Sequence, residues 1–391
     1  MIQTKYKFYE PIAPYIIIPY TTQIAVKNNV LHNKLNHFHD NTIFPTYLSP
    51  ELKNFRNKNR FVIGIEDNKI KIGYKYGINS KNIICISEIP DSDLIYPRLE
   101  IKDFIKDQLK YFENSNLKPF DKSQHNGFWK FITFRYSQYQ NAYSITYTIE
   151  LRYTDDKDIK NELYKIISFC ENSSLNIKSI SFKDSYDKDY LINYPLKPLF
   201  EKLDNYLFKI YPNAFFQTNI IIAQKLYQKI KDIIKSYNSS DFKIQLYDLC
   251  TGTGTIAMYC SDIVDNVIAI DICKDAIINA IDNMELNNIN NINFIHSDIG
   301  KYDFSKIKNN KKIKLIATID PIRSGVNKEV LKIINEIFDI VIYVSCNIDS
   351  FIKDMKYLTN FKLTSTYPFD MFPHTNYYET INVCLRTHFL S

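Results

Sequence analysis

Two patterns of apolar and polar positions divide this chain. From residue 61 to residue 89 apolar and polar positions alternate, as in Lys69-Ile70-Lys71-Ile72-Gly73-Tyr74, with breaks at Glu66-Asp67-Asn68 and at Gly77. A period of two belongs to a strand with one face buried, so this stretch predicts antiparallel sheet. Residues 101–112 carry apolar positions at helical spacing, 129–136 and 142–152 alternate again, and 159–170 return to the helical period. The first half therefore reads as a mixed α+β domain.

Beyond Leu203 the pattern becomes strand, loop, helix, repeated. Strands are expected at 244–249, 267–270, 292–296, 313–319 and 340–344, with helices beginning at 255–261 and spanning 274–286 and 328–338. A last apolar run covers 380–385. Such alternation predicts an α/β, Rossmann-like doubly wound parallel sheet. The expected division is residues 1–202 for the α+β region and 203–391 for the Rossmann-like domain. Polar pieces at 236–241 and 308–312 read as surface connections, and residues 1 to about 50 as short polar and aromatic segments.

Composition narrows the class. At 391 residues, 45% hydrophobic and 24% charged, the chain is globular and suits two domains. Ile, Asn, Lys and Tyr are abundant while Ala and Gly are scarce, a bias that resembles drift under an AT-rich genome. The net charge of +6 is uneven: residues 1–200 hold 28 Lys+Arg against 22 Asp+Glu, and 201–391 hold 21 against 21. With 30 Tyr and 26 Phe for stacking, the basic first half is compatible with RNA, and equally with a solvated lysine-rich surface.

Seven cysteines, at 85, 170, 250, 260, 273, 346 and 384, form no CxxC pair. That spacing predicts neither a zinc site nor an iron–sulfur cluster and fits a reducing compartment. His32, His37 and His39 lack partner ligands at metal spacing, so no metal is expected. The apolar stretch 12–20 is short and broken by Pro14 and Pro19, which excludes it as a membrane span, and the first 55 residues contain no Arg. A cytoplasmic or nuclear protein is the expectation.

Candidate chemistry sits at strand ends, where open α/β sheets hold their ligands. Cys346 directly follows the apolar run 340–344, and Glu379 opens the final run after Phe372-Pro373-His374-Thr375. Taken alone, Cys346 also fits a buried thiol with no chemical role. Tyr247-Asp248-Leu249-Cys250-Thr251-Gly252-Thr253-Gly254-Thr255 places two glycines at the first strand-to-helix turn, without the third glycine of a dinucleotide site or the Lys of a P-loop. Asp271 closes the second strand, placed for ribose hydroxyls or as a helix cap, and Asp298 closes the third, placed near an adenine. This set reads as an S-adenosylmethionine site. Asp320-Pro321-Ile322-Arg323-Ser324-Gly325 lacks the aromatic of amine methylases and a cysteine after its proline, which points to carbon chemistry through Cys346.

These segments resemble those of the RNA (uracil-5-)-methyltransferase family, above all its tRNA members. Residues 212–219, Pro-Asn-Ala-Phe-Phe-Gln-Thr-Asn, look like FFQ(V)N, and 248–255 like DxxCGTGT. Asp320 to Gly325 resembles DPPRxG, Tyr343-Val344-Ser345-Cys346-Asn347 resembles YVSCNP, and 372–379 resembles FPxTxHxE. Ser49-Pro50 and 55–61, Phe-Arg-Asn-Lys-Asn-Arg-Phe, look like SP and YRNKxEF. The likeness runs from about residue 48 to 391. Thr251, Ile322, Ile348 and Tyr378 depart from the family pattern, standing for Cys, Pro, Pro and His or Cys.

The resemblance implies a Rossmann-like S-adenosylmethionine-dependent methyltransferase domain behind an N-terminal RNA-binding region. It implies methylation of uridine C5 in RNA, at the T-loop uridine (position 54) of tRNA, through an adduct of Cys346 at C6 with Glu379 as the base. Gln217, Cys250, Thr255, Asp271, Asp298 and Asp320 would bind the cofactor. Arg56, Lys58 and Arg60 would meet phosphates; Trp129, Phe131 and Phe134 could stack bases, though core positions suit at least two of them better. No segment resembles the N-terminal barrel and cluster cysteines of ribosomal-RNA members. A ribosomal-RNA uridine and a non-catalytic tRNA-folding module remain the alternatives, and a monomer without metal or membrane is expected.

Overall fold

The order of strands in the larger sheet explains where the chemistry gathers. A computed structural model describes residues 9, 12–79, 83–89, 95–151, 156–186, 189–190, 197–212, 214–307 and 312–387. Arg152, Asn213 and most of the 308–312 connection lie outside the described residues. In chain order the elements begin with α1 (Tyr20–Leu35), β1 (Thr42–Ile43), β2 (Lys58–Glu66), β3 (Lys69–Ile78), β4 (Ile84–Glu88) and α2 (Leu99–Asn114). Then come β5 (Trp129–Ser137), β6 (Ala142–Ile149), α3 (Asp156–Glu171), β7 (Ile177–Lys183), β8 (Leu199–Leu203) and β9 (Tyr206–Ile210). The second half runs α4 (Ile220–Lys235), β10 (Lys243–Leu249), α5 (Thr255–Cys260), β11 (Asn266–Asp271), α6 (Lys274–Leu286) and β12 (Ile292–His296). It ends with β13 (Ile313–Ile319), α7 (Lys328–Ile337), β14 (Ile340–Ser345), α8 (Ile348–Met355), β15 (Phe361–Phe369) and β16 (Glu379–Arg386).

The chain divides into two compact units, 1–17 with 51–201 and 210–212, and 18–50 with 202–209 and 213–391. This corrects the expected boundary of 1–202 and 203–391 for residues 18–50. They join the second unit because β1 pairs with β15 in parallel and Leu31 and Leu35 of α1 enter the core beside Phe351, Met355 and Leu363.

In the first unit six strands lie in the order β4-β3-β2-β5-β6-β7, antiparallel from β4 to β6, with β7 parallel to β6 after the crossover through α3. Their apolar face packs Phe61, Ile132, Phe134, Ile145 and Tyr147 into one core with Phe104 of α2 and Leu163 of α3. Trp129 and Phe134 are fully buried there, which gives them the core role, whereas Phe131 carries the Arg60 guanidinium 4.0 Å above its ring. The other face is polar row by row. Lys58, Arg135, Ser144 and Ser179 stand side by side in register, followed by Arg60, Thr133, Thr146 and Ser181. Burial, then Arg135, Lys183, Arg60 and Arg56, push the Lys58 ammonium down to about 8.

In the second unit eight strands take the order β1-β15-β16-β14-β13-β10-β11-β12. From β14 to β12 all are parallel, as expected, but β16 runs antiparallel to both β14 and β15. The expected strands and helices of 244–344 are present within one or two residues of their expected ends. The sequence pattern did not yield α1, β1, β8, β9, α4, α8 or β15.

Candidate active site

Register places the candidate residues in a row along the carboxyl ends of the parallel strands. The last pair of β10 and β11 is Leu249 with Ile270, and that of β10 and β13 is Leu249 with Ile319. One step further come Cys250, Asp271 and Asp320, side by side. Two strands away, the antiparallel β14–β16 ladder closes at Ser345 opposite Thr380, so Cys346 and Glu379 occupy the next opposed positions. Thirty-two residues of chain separate them, yet the reversed direction of β16 makes them neighbours.

The glycine turn is shaped by left-handed residues, Cys250 at φ 65°, Gly252 at 56° and Gly254 at 80°. A Cβ on Gly254 would lie 2.7 Å from the Phe294 ring, so glycine is required by space as well as by φ. At Gly252 an added Cβ meets nothing within 4 Å, so the turn is open on that side. Asp271 holds the turn in place: Oδ2 accepts from the Gly252 N–H at 2.8 Å and Oδ1 from the Cys273 N–H at 2.8 Å. Its carboxylate thus serves the entry to α6, and each oxygen keeps a lone pair for a ribose hydroxyl. An open turn beside a strand-end carboxylate fits an adenosyl cofactor.

Asp248, fully buried beneath the turn, accepts from Thr251 Oγ1 at 2.5 Å, Thr318 Oγ1 at 2.7 Å and the Ala257 N–H at 3.2 Å. The hydroxyl of Thr251 therefore has a structural use where the family pattern has Cys. Burial pushes Asp248 up to about 6 despite these bonds, and pushes Asp320 up to about 7 with Asp248 adding to it. Burial, followed by Asp271, Asp320 and Asp248, raises the Cys250 thiol to about 12.

Glu379 is buried, and burial first and Asp320 second hold its carboxyl well above the usual range. Cys346, half-buried, is pushed up to about 11 by burial, Glu379 and Asp320, with Arg323 opposing them. Asp320 thus acts on both. Thr255 opens α5, and Tyr227 of α4 lies within electrostatic reach of its hydroxyl and of Asp320, Glu379 and Asp248. Gln217 is buried on the segment entering α4, where Asn219 caps the helix by accepting from the Ile222 N–H at 3.4 Å. Asp298 follows β12 and accepts from the Gly300 N–H at 2.9 Å, next to Ser297, whose N–H donates to the Asp271 carbonyl at 3.0 Å.

The loop after β13 is tied to the loop that carries Cys346. Asn347 Nδ2 and Ser350 Oγ donate to the Arg323 carbonyl at 3.2 and 2.8 Å, and the guanidinium lies 4.4 Å from the Tyr377 ring centre. Asp354 Oδ2 accepts from the Val326 N–H at 2.8 Å and from the Tyr343 hydroxyl at 2.7 Å, joining loop, strand and helix. Ile348 is the first residue of α8, a position that suits Pro equally, so its departure from the family pattern leaves the helix start intact. Ile322 points to solvent, 79% exposed.

Sequence reasoning did not assign Asp248, Tyr227 or Asp354. Asp248 stood in a quoted motif, but nothing in the residue pattern says that α4 or α8 faces the site. Among the described residues no group of three or more His, Cys, Asp or Glu could hold a metal ion, and no helix is long and apolar enough to cross a membrane.

Residues 165–387 match the family model described as tRNA (Uracil-5-)-methyltransferase. A protein of Acanthamoeba polyphaga mimivirus, assigned as an RNA methyltransferase, is 31% identical over 93% of each chain. The 23S rRNA (uracil(747)-C(5))-methyltransferase of Shewanella baltica is 23% identical over 94% of this chain and 93% of its own. Among solved structures, Pyrococcus abyssi tRNA (uracil-54, C5)-methyltransferase in complex with S-adenosyl-L-homocysteine superposes with a TM-score of 0.70 at 22% identity, covering 94% of this chain and 84% of that one.

Proposed function

The chain belongs to the tRNA (uracil-5-)-methyltransferase family, and from that premise we propose that it makes 5-methyluridine at the T-loop uridine (position 54) of tRNA. It is an RNA uracil-C5 methyltransferase that uses S-adenosylmethionine. The observation that carries the residue assignment is the opposition of Cys346 and Glu379 in register. The atoms they would serve, C6 and C5 of one uracil ring, are themselves adjacent.

Uracil C5 is a weak nucleophile until electrons are pushed into the ring. Cys346 does this: its sulfur bonds to C6 as the thiol proton leaves to solvent, and the ring carries the charge toward C5 and O4. S-adenosylmethionine, when bound, supplies the methyl group that C5 takes. Glu379, in its ionised form, then removes the C5 proton; that electron pair restores the C5–C6 double bond and the C6–S bond breaks. Its raised pKa makes it a stronger base than an exposed glutamate. One proton is released overall.

Cys250, Asp271 and Asp320, with Gln217, Thr255 and Asp298, would hold the cofactor. Asp271 would take ribose hydroxyls while its Oδ2 keeps the Gly252 N–H of the turn. The uridine has to be unstacked to reach this pocket, which requires a grip on the rest of the RNA. The polar row of Lys58 and Arg60 on the first unit's sheet supports that role, with Arg56 beside it.

The test is incubation with S-adenosylmethionine and RNA carrying 5-fluorouridine, whose C5 fluorine cannot leave as a proton. A methylated, denaturation-resistant adduct on Cys346 with tRNA, absent in Cys346→Ala, is expected. An adduct with ribosomal RNA alone would transfer the substrate to the other branch, and no adduct with either, despite intact cofactor and tRNA binding, would favour a folding module.

A further inference from the structure

The stripe that α1 turns inward is polar in its first half, before Leu31 and Leu35 enter the core. Tyr20, Gln23 and Lys27 recur at i, i+3 and i+7, with Gln23 1% and Lys27 4% exposed, while Val26 and Val30 stand outward. All three reach one target, the turn between β15 and β16. The Lys27 ammonium donates to Asp370 Oδ1 at 2.6 Å and to the Phe372 carbonyl at 3.0 Å, and the Tyr20 hydroxyl donates to Asp370 Oδ2 at 2.7 Å. Gln23 Oε1 accepts from the His374 N–H at 2.8 Å, and its Nε2 lies 3.2 Å from His374 Nδ1. His374 is left-handed at φ 66°, a conformation kept only where the surroundings impose it.

A buried ion pair is a poor source of stability, because desolvating both ions offsets their attraction. Burial pushes the Lys27 ammonium down while Asp370 opposes it, and an apolar stripe on α1 would cover the sheet at lower cost. What the polar stripe does provide is a fixed turn. Phe369 and Glu379 are register partners, so the turn leaves and rejoins the sheet at one pair, and a shift of the turn moves Glu379 directly.

We propose that Tyr20, Gln23 and Lys27 are positioning residues for Glu379, locking the Asp370-to-His374 segment so that the carboxyl stands ready for the C5 proton. The inference rests on the reading of Glu379 as the base. A misplaced base leaves thiol addition and methyl transfer intact and slows only the release of Cys346.

The experiment follows unmodified tRNA and labelled S-adenosylmethionine on denaturing gels, for wild type, Lys27→Met, Gln23→Leu, Tyr20→Phe, Lys27→Arg and Glu379→Gln. In Lys27→Met and Gln23→Leu the methylated covalent adduct should rise about tenfold over wild type as turnover falls. Cofactor affinity should be unchanged and Lys27→Arg should remain near wild type. Where a buried variant unfolds, Tyr20→Phe, which removes one hydroxyl, carries the test with the same sign. Folded variants that turn over normally, or that slow without accumulating adduct while Glu379→Gln accumulates it, overturn the positioning role. If Glu379→Gln itself accumulates none, the base assignment falls and this inference with it.

Discussion

Cys346 and Glu379 face each other one residue past the Ser345–Thr380 pair that ends the β14–β16 ladder. Opposed residues of an antiparallel pair have Cα atoms about 4.5–5.5 Å apart. On the proposed reading, a nucleophile and a base on these neighbouring strand ends would serve adjacent ring atoms, and their duties are separable. Cys346→Ala should abolish both the adduct and methylation. Glu379→Gln should still form the adduct and lose about 10²–10⁴-fold in turnover. Rapid-quench rates paired with denaturing gels check this, and loss of adduct in folded, cofactor-binding Glu379→Gln would contradict it.

Asp320 links stability to pH. Burial and Asp248 move its carboxyl from 3.8 to about 7 in the folded chain. Between those values the folded protein keeps a proton that the unfolded chain has lost, so this contribution is full below the lower value and disappears as pH rises through the upper. Asp248, raised to about 6 by burial, adds to the same slope. Asp320→Asn keeps the neutral form throughout. Its Tm, relative to wild type, should therefore climb between about pH 4 and pH 7.5 in cofactor-free protein, while cofactor affinity falls. Calorimetry across that range reads it, and a flat difference would refute it.

The two glycines of the turn should fail in different ways. Gly254→Ala combines φ 80° with a Cβ 2.7 Å from Phe294, and should destabilise the fold by about 1–3 kcal/mol in urea unfolding. Gly252→Ala has open space at its Cβ. Its stability loss should be the smaller of the two and its loss of cofactor affinity, measured by calorimetry, the larger effect.

On the first unit, Arg56→Ala and Lys58→Ala should weaken tRNA binding without touching cofactor binding. Each lost phosphate contact lowers the salt dependence of affinity by roughly one in slope. Binding titrations at several salt concentrations give both numbers, and unchanged affinity would remove these residues from the RNA contact.

The strand ends were legible because β10, β11, β13 and β14 are interior parallel strands, whose apolar runs stop where the ligand side begins. That placed Cys250, Asp271, Asp320 and Cys346 correctly on their elements. Helix α1 was invisible for the opposite reason: Gln23 and Lys27 face inward while Val26 and Val30 face outward, so its sequence carries almost no amphipathic signal. The same inversion hid the membership of residues 18–50 in the second unit. Tyr227 was missed together with α4, and no apolar period tells which buried tyrosine lies within reach of Asp320 and Glu379. β15 was missed because Pro368 and mixed polar residues interrupt its pattern.

The raised thiol of Cys346 also bears on how the protein survives between encounters with RNA. At neutral pH a thiol near pKa 11 is ionised in roughly one molecule in ten thousand. Peroxide and other oxidants attack the ionised sulfur. Burial first, then Glu379 and Asp320, therefore slow oxidation of the Cys346 sulfur by keeping it a thiol.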